Sequence, residues 1–271
     1  MPDPSKKIGL FGAGKMGFAL FQGWMREASS ASRFFVWDPV PSADLEALHN
    51  KQILINPQAD EIAPLDLMVV AVKPQILADV LPTIKTLVTD KTVVISVVAG
   101  KTIGEFADAL HDQQPIVRTM PNTPSIVGAG ITALFANDHV EPPQKETASE
   151  LLTAVGQVVW LAREDQMDAV TAVSGSGPAY VFHLTECIEA AAIDQGLSPD
   201  LAAQLARATV SGAGALMAQS PESAGQLREN VTSPGGTTAA ALEVLMDDKA
   251  LESLLKRAID AATKRSIDLG K

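Results

Sequence analysis

The sequence predicts an α/β protein in which a doubly wound, mainly parallel sheet comes first and an all-helical domain follows. Three observations predict it. Up to Leu161, short apolar runs alternate with helical patterns, the arrangement of parallel strands flanked by helices. The first apolar run ends in a glycine-rich turn and the second in an aspartate. Beyond Leu161 the strand signal stops and only helical periodicity remains.

Residues 8–11 form the first strand, and Phe11 leads into Gly12-Ala13-Gly14-Lys15-Met16-Gly17. A helical pattern through Met16, Leu20, Gly23 and Trp24 follows, then a second strand, 34–37, ending at Asp38. Strand, G-x-G-x-x-G, helix, strand and acid at this spacing make a Rossmann-type dinucleotide-binding unit. The glycines let a pyrophosphate approach the backbone at a helix N-terminus. Asp38 can accept from the adenosine ribose hydroxyls. Its charge repels a ribose 2′-phosphate, so between NADP and NAD the reading leans toward NAD, unless Arg33 or Lys15 offsets the repulsion.

Strands follow at 53–55 and 67–72, the second apolar without interruption and so buried on both faces. Lys73-Pro74 ends it, and a helix carries Ile76, Leu77, Val80, Leu81 and Ile84. The strand 92–98 closes at Ala99-Gly100, and Ile103, Phe106, Ala107 and Leu110 mark the next helix. Runs at 116–120, 131–135 and 158–161 bring the sheet to about eight strands. Ligands collect beyond the carboxyl ends of such strands. Here those ends are residues 12–16, Asp38, Ala71, Val72, Lys73, Pro74, Ala99, Pro121 and Asn122. Lys73 is a candidate partner for a phosphate or the nicotinamide ribose.

In the second half a helix starts over 164–173 and Ser174-Gly175-Ser176-Gly177-Pro178 interrupts it. Helical patterns then cover 179–195, 199–219, a short stretch to Asn230, 239–246 and 251–269. Domains of 1–163 and 164–271 follow. Small residues abound (Ala190, Ala191, Ala192, Ala202, Ala203, Ala206, Gly212, Gly214), and apolar residues occupy more than one face. Such helices call for burial, most simply against a second subunit. Between two of them lies Val231-Thr232-Ser233-Pro234-Gly235-Gly236-Thr237-Thr238. Pro234 breaks the first helix, the glycines allow a sharp turn, and Thr237 and Thr238 open the next. Free N–H groups there, at the positive end of a helix dipole, suit a carboxylate or phosphate.

The net charge of −11 argues against a nucleic-acid partner. Cys187 is the only cysteine, which fits a cytoplasmic protein. The opening residues lack the pattern of a signal peptide. The uncharged stretch 119–137 contains Pro121 and Pro124, so no membrane span is expected. His49, His111, His139 and His183 share no ligand spacing with Cys187, and no metal site is expected. Ser174 and Ser176 have no His–Asp partner pattern, so they read as helix caps or interface residues.

On five segments the sequence resembles the pyrroline-5-carboxylate reductases: residues 8–20 (IGLFGAGKMGFAL), 70–77, 118–130 (RTMPNTPSIVGAG), 168–182 (DAVTAVSGSGPAYVF) and 227–238 (LRENVTSPGGTT). The resemblance implies a homodimer with interlocked helical domains, commonly assembled further into a decamer, and an active site at the dimer interface. It implies that 1-pyrroline-5-carboxylate is reduced to L-proline with NADH or NADPH. It assigns the cofactor to Phe11, Gly12, Ala13, Gly14, Lys15, Met16, Asp38, Gln58, Ala71, Val72, Lys73, Pro74, Ala99 and Asn122, with 120–122 at the nicotinamide end. It assigns the substrate to Val231, Ser233, Gly236 and Thr237, and the ring nitrogen to Thr238. Many relatives carry Ser, Thr or Arg where this chain has Asp38, and an Asn where it has Gln58, with Asn56 a nearby substitute.

The implied chemistry agrees with what the helical domain lacks. A protonated imine is already electrophilic and needs positioning more than a strong acid. Ketone reduction calls for a donor such as lysine or histidine. No lysine occurs between Glu146 and Asp248, and His183, in mid-helix, reads as a core or interface residue. Two alternatives stand beside this reading: a reductase of the 3-hydroxyacid dehydrogenase type, and a non-catalytic NAD(P)-sensing protein.

Overall fold

A computed structural model describes residues 2–27, 33–48, 53–62 and 64–270. Eight strands form one sheet in the order β3-β2-β1-β4-β5-β6-β7-β8. They are β1 (Ile8–Phe11), β2 (Phe34–Trp37), β3 (Leu54–Ile55), β4 (Leu67–Val70), β5 (Val93–Ser96), β6 (Ile116–Met120), β7 (Gly130–Ala136) and β8 (Gly156–Trp160). Helices α1 (Lys15–Glu27), α2 (Ala43–Leu48), α3 (Leu77–Leu87), α4 (Ile103–Ala109) and α5 (Pro142–Thr153) accompany them. All neighbouring strands are parallel except β6 and β7. The link between those two is too short for the crossover that parallel pairing requires. The chain reverses its direction of growth between β1 and β4, the position where doubly wound sheets bind their ligands.

The sheet is packed on both faces. On one side Phe21 and Trp24 of α1 meet Phe34 of β2 together with Leu151 and Leu152 of α5, all fully buried. The Trp24 ring stacks on Phe34 at 6.0 Å, and its Nε1 donates to the Leu151 carbonyl at 3.0 Å. On the other side Leu77, Leu81 and Ile84 of α3 and Phe106 of α4 cover β4 and β5. Helix α5 is absent from the sequence-based expectation because only Ala148, Leu151 and Leu152 face inward along a mostly polar segment, too few for a clear 3.6-residue period.

The expected interruption at 174–178 takes the form of a π-helical turn that ends at Gly175 and a bend at Ser176, after which a new helix starts. A 3₁₀ turn (Glu164–Gln166), α6 (Met167–Val170) and a π-helical turn (Thr171–Gly175) lead into α7 (Gly177–Asp194). Pro178 sits in the first turn of α7, where a missing N–H costs nothing. The two serines are not side-chain caps. Ser176 occupies the N-cap position without a capping bond, and Ser174 Oγ donates back to the Val170 carbonyl at 3.1 Å. Then come α8 (Pro199–Gln219), α9 (Ala224–Asn230), α10 (Thr237–Met246) and α11 (Ala250–Leu269).

By internal packing the chain divides into two compact units, residues 1–175 with 263–271, and residues 176–262. The expected boundary at 163/164 therefore falls inside the first unit. Within the described part of the second, Ala202 and Ala206 are the only buried hydrophobic residues. Phe182, Leu216 and Leu254 are 65 %, 55 % and 53 % exposed in the single chain. Among the described residues no helix is long and apolar enough to cross a membrane.

Removing the largest side chain of the sheet core tests this packing. Trp24→Ala should cost about 3–5 kcal/mol, read as a lower urea midpoint at unchanged slope; a midpoint near wild type would contradict it.

Candidate active site

Three glycines of the first turn have three different reasons to lack a side chain. Gly12 has φ +93°, and a Cβ there would lie 2.8 Å from the Ala71 carbonyl oxygen. A Cβ on Gly17 would stand against the Gly12 carbonyl, so α1 rests on the turn by direct backbone contact. Gly14 has nothing within 4 Å. It is exposed, and its carbonyl accepts from Phe18 N–H at 2.8 Å, which places it at the N-cap of α1. The first two glycines let the chain fold tightly, and the third leaves the approach open. The backbone N–H groups that follow Gly14 lack intrahelical acceptors and suit an anion.

Asp38 lies at the carboxyl end of β2 and is tied to this turn. Its Oδ2 accepts from Ala13 N–H at 2.7 Å and its Oδ1 from Val40 N–H at 2.9 Å. Each carboxylate oxygen keeps a further acceptor site for a ribose hydroxyl. Asn56, in the left-handed region at φ 52°, clasps the Asp38 backbone: its Oδ1 accepts from Asp38 N–H at 2.9 Å and its Nδ2 donates to the Asp38 carbonyl at 2.8 Å. No ion pair among the described residues includes Asp38.

Arg33 does not offset the Asp38 charge. It stands just before β2, at the amino end, and Nη1 donates to the Pro2 and Asp3 carbonyls at 3.0 and 2.9 Å. The guanidinium lies over the Phe34 ring, and burial lowers its pKa. Sequence proximity suggested reach, but the strand separates the two residues end to end. Lys15 is exposed at the first position of α1.

The remaining positions of the first unit follow the carboxyl edge. Phe11 is buried against Trp37, and Met16 is half-buried. Ala71 and Val72 abut Gly12, while exposed Lys73 precedes Pro74 at the start of a 3₁₀ turn. Ala99 is exposed beside Gly100, whose φ is +75°. Gln58 is exposed in the turn after β3, its N–H donating to Glu61 Oε2 at 2.7 Å. Asn122 is buried.

In the second unit, Val231 follows α9 and is exposed. Gly235 has φ +68°, Gly236 N–H donates to the Ser233 carbonyl at 3.0 Å, and Gly236 is the N-cap of α10 without a side-chain cap. The turn thus presents the first N–H groups of α10, with the hydroxyls of Ser233, Thr237 and Thr238 beside them. His183 is not a core residue: its side chain is 76 % exposed, and Nδ1 lies 2.9 Å from Glu186 Oε2. Among the described residues no three His, Cys, Asp or Glu side chains cluster as metal ligands; His49 lies outside them.

One pairing went unnoticed in the sequence. Glu164 Oε1 accepts from both buried Arg118, at 2.9 Å, and Ile103 N–H, at 2.9 Å, joining β6 to the start of α4. An arginine inside an apolar strand is itself the signal, because a buried guanidinium requires acceptors, and a carboxylate is the strongest of them.

Comparisons agree with these features. Residues 164–269 match the family model for pyrroline-5-carboxylate reductase dimerisation, and residues 7–100 that for NADP oxidoreductase, coenzyme F420-dependent. The chain is 35% identical to the pyrroline-5-carboxylate reductase of Pseudomonas aeruginosa, covering 98% of this chain and 97% of that protein. The Synechocystis reductase is 37% identical, with 98% and 99% covered. The solved reductase of Coxiella burnetii superposes with a TM-score of 0.91 at 36% identity, covering 98% of this chain and 99% of that one. The Plasmodium falciparum enzyme, solved with NADP bound, gives 0.82 at 30% identity, with 99% of each chain covered.

The empty surroundings of Gly14 allow a direct test of the first turn. Gly14→Ala should leave the melting temperature unchanged and weaken NADH binding about tenfold or more by calorimetry; undiminished affinity would move the pyrophosphate elsewhere.

Proposed function

Because the chain belongs to the pyrroline-5-carboxylate reductase family, we propose a division of labour among its residues for that family's reaction. The chain is an NAD(P)H-dependent oxidoreductase of proline biosynthesis that reduces the C=N bond of 1-pyrroline-5-carboxylate to L-proline. Reduced nicotinamide supplies a hydride to the imine carbon. Everything else is the work of the polypeptide.

The N–H groups of Gly14, Lys15 and Met16 at the start of α1 bind the pyrophosphate, while Gly12 and Ala13, whose N–H groups donate to the Trp37 carbonyl and to Asp38, shape the turn that lets it approach. Asp38 takes the adenosine ribose hydroxyls, with Gln58 near the adenosine. Phe11, Ala71, Val72, Lys73, Pro74 and Ala99 wall the cofactor along the carboxyl edge. On the substrate, the N–H groups at the start of α10 hold the carboxylate, helped by Ser233, Gly236 and Thr237, and Val231 packs on the ring. Thr238 donates or accepts at the ring nitrogen and fixes its orientation. The observation that carries these substrate roles is the turn 233–236, which ends in an uncapped helix N-terminus flanked by three hydroxyls.

Asp38 makes NADH the preferred donor. A 2′-phosphate would meet its carboxylate with no guanidinium beside it, since Arg33 is committed at the other end of β2. The assembly is a dimer, supported by the dimerisation-domain match and by the bare apolar faces of 176–262. Decamers are the higher assembly that the family likeness implies. The cytoplasm is the compartment that the single cysteine favours.

A spectrophotometric assay of NADH oxidation with 1-pyrroline-5-carboxylate tests the reaction; activity on a 3-oxo acid instead would overturn it. Asp38→Ser should shift the NADPH-to-NADH ratio of kcat/KM about tenfold toward NADPH, and an unchanged ratio would remove Asp38 as the determinant. Thr238→Ala should lower kcat about ten- to a hundred-fold, the loss of one hydrogen bond to a charged partner; full turnover would end its assignment.

A further inference from the structure

The connection between β6 and β7 begins with Met120, Pro121 and Asn122, at the carboxyl edge of the sheet. Asn122 is only 8 % exposed. Both ends of its carboxamide are engaged inside the protein. Oδ1 accepts from Ile131 N–H at 3.0 Å, and Nδ2 donates to the Ser174 carbonyl at 3.1 Å. The first bond ties the start of the connection to β7. The second ties it to the π-helical turn (Thr171–Gly175), some fifty residues further along the chain.

The Ser174 carbonyl is available for a reason written in the sequence. It lies in the last residues of the π-helical turn, whose final carbonyls have no intrahelical donor, and Pro178, in the first turn of α7, has no N–H to offer it. A carbonyl shielded from water without a partner is costly, and the Asn122 amide supplies a donor to this half-buried one. A second contact lies beside it. A Cβ on Gly175 would come 2.5 Å from the Met120 terminal methyl, so the Met120 side chain lies directly over the helix backbone. Met120 and Asn122 together pin the turn to residues 174 and 175.

We propose that Asn122 is a positioning residue for hydride transfer, locking the Met120–Pro121–Asn122 turn against the π-helical turn so that the turn presents a fixed wall to the nicotinamide. The proposal rests on the reading that this edge binds the nicotinamide half of the cofactor. Its carboxamide acts through the turn and does not serve as a cofactor ligand. A wall that shifts by a fraction of an ångström misaligns the hydride donor and slows the chemical step, with little effect on binding carried by the pyrophosphate and adenosine ends.

The test is Asn122→Ala in the full-length assembled enzyme, with Gly175→Ala, which pushes Met120 aside, as an independent second variant. With the five-membered imine, kcat should fall about tenfold or more while KM for NADH stays within about twofold. The primary isotope effect with 4-deuterated NADH should rise, because hydride transfer then limits turnover. Amide hydrogen exchange, with no substrate present, should quicken together at Ile131 and across residues 171–175 in the Asn122 variant. A rise in KM for NADH that matches the loss of kcat would make Asn122 a direct ligand and overturn the proposal. So would unchanged exchange at 171–175, or unchanged kcat in either folded variant. If wild-type enzyme failed to reduce the imine, the functional reading would fall, while the exchange experiment would still decide whether the lock exists.

Discussion

A helical unit that buries no hydrophobic residue larger than alanine has no interior of its own. Among the described residues of 176–262 only Ala202 and Ala206 are buried hydrophobics. Side chains such as Phe182, Leu216 and Leu254 remain in contact with water. Burial of apolar surface is the main favourable term in folding, so these helices are stable only where something covers them. Residues 164–269 match a dimerisation-domain model, which supports another copy of the chain as the cover. The turn 233–236, to which the substrate carboxylate is proposed to bind, stands within this unit.

The sheet unit is the opposite case. It is packed on both faces within one chain, and its carboxyl edge at the glycine turn is built almost wholly from backbone. Gly12, Gly14 and Gly17 act by having no side chain. Asp38 is held by Ala13 N–H, Val40 N–H and the Asn56 carboxamide. Such an edge is preorganised: the turn is fixed by its own hydrogen bonds, and the first N–H groups of α1 beyond it lack intrahelical acceptors. Electrostatic catalysis depends on that kind of prior arrangement, because a site that must reorganise during the reaction loses the advantage.

Much of this was legible from residues alone. Glycine spacing, the acid after β2 and the alternation of strand and helix are local signals, and the elements they predict are present within a few residues. The turn at 233–236 and the helix after it were legible for the same reason: proline, paired glycines and threonines each restrict the backbone where they stand. Helix α5 escaped because its inward face is three residues in a polar stretch. The interruption expected at 174–178 is present, but as a π-helical turn ending at Gly175 and a bend at Ser176, a form that glycine and proline alone do not specify.

The sequence by itself therefore determined the alternation of strand and helix in the first half, the run of helices in the second and the turn residues between them, because those depend on residues within a turn or two of one another. Only the tertiary structure decided the partners. Arg33, five residues from Asp38 in the chain, lies at the opposite end of its strand. Asn122 and Ser174, distant in the chain, share a hydrogen bond. Glu164 pairs with Arg118 across a similar distance. A strand of extended residues separates near neighbours, and a sheet brings remote ones together, so contact follows topology and not position along the chain.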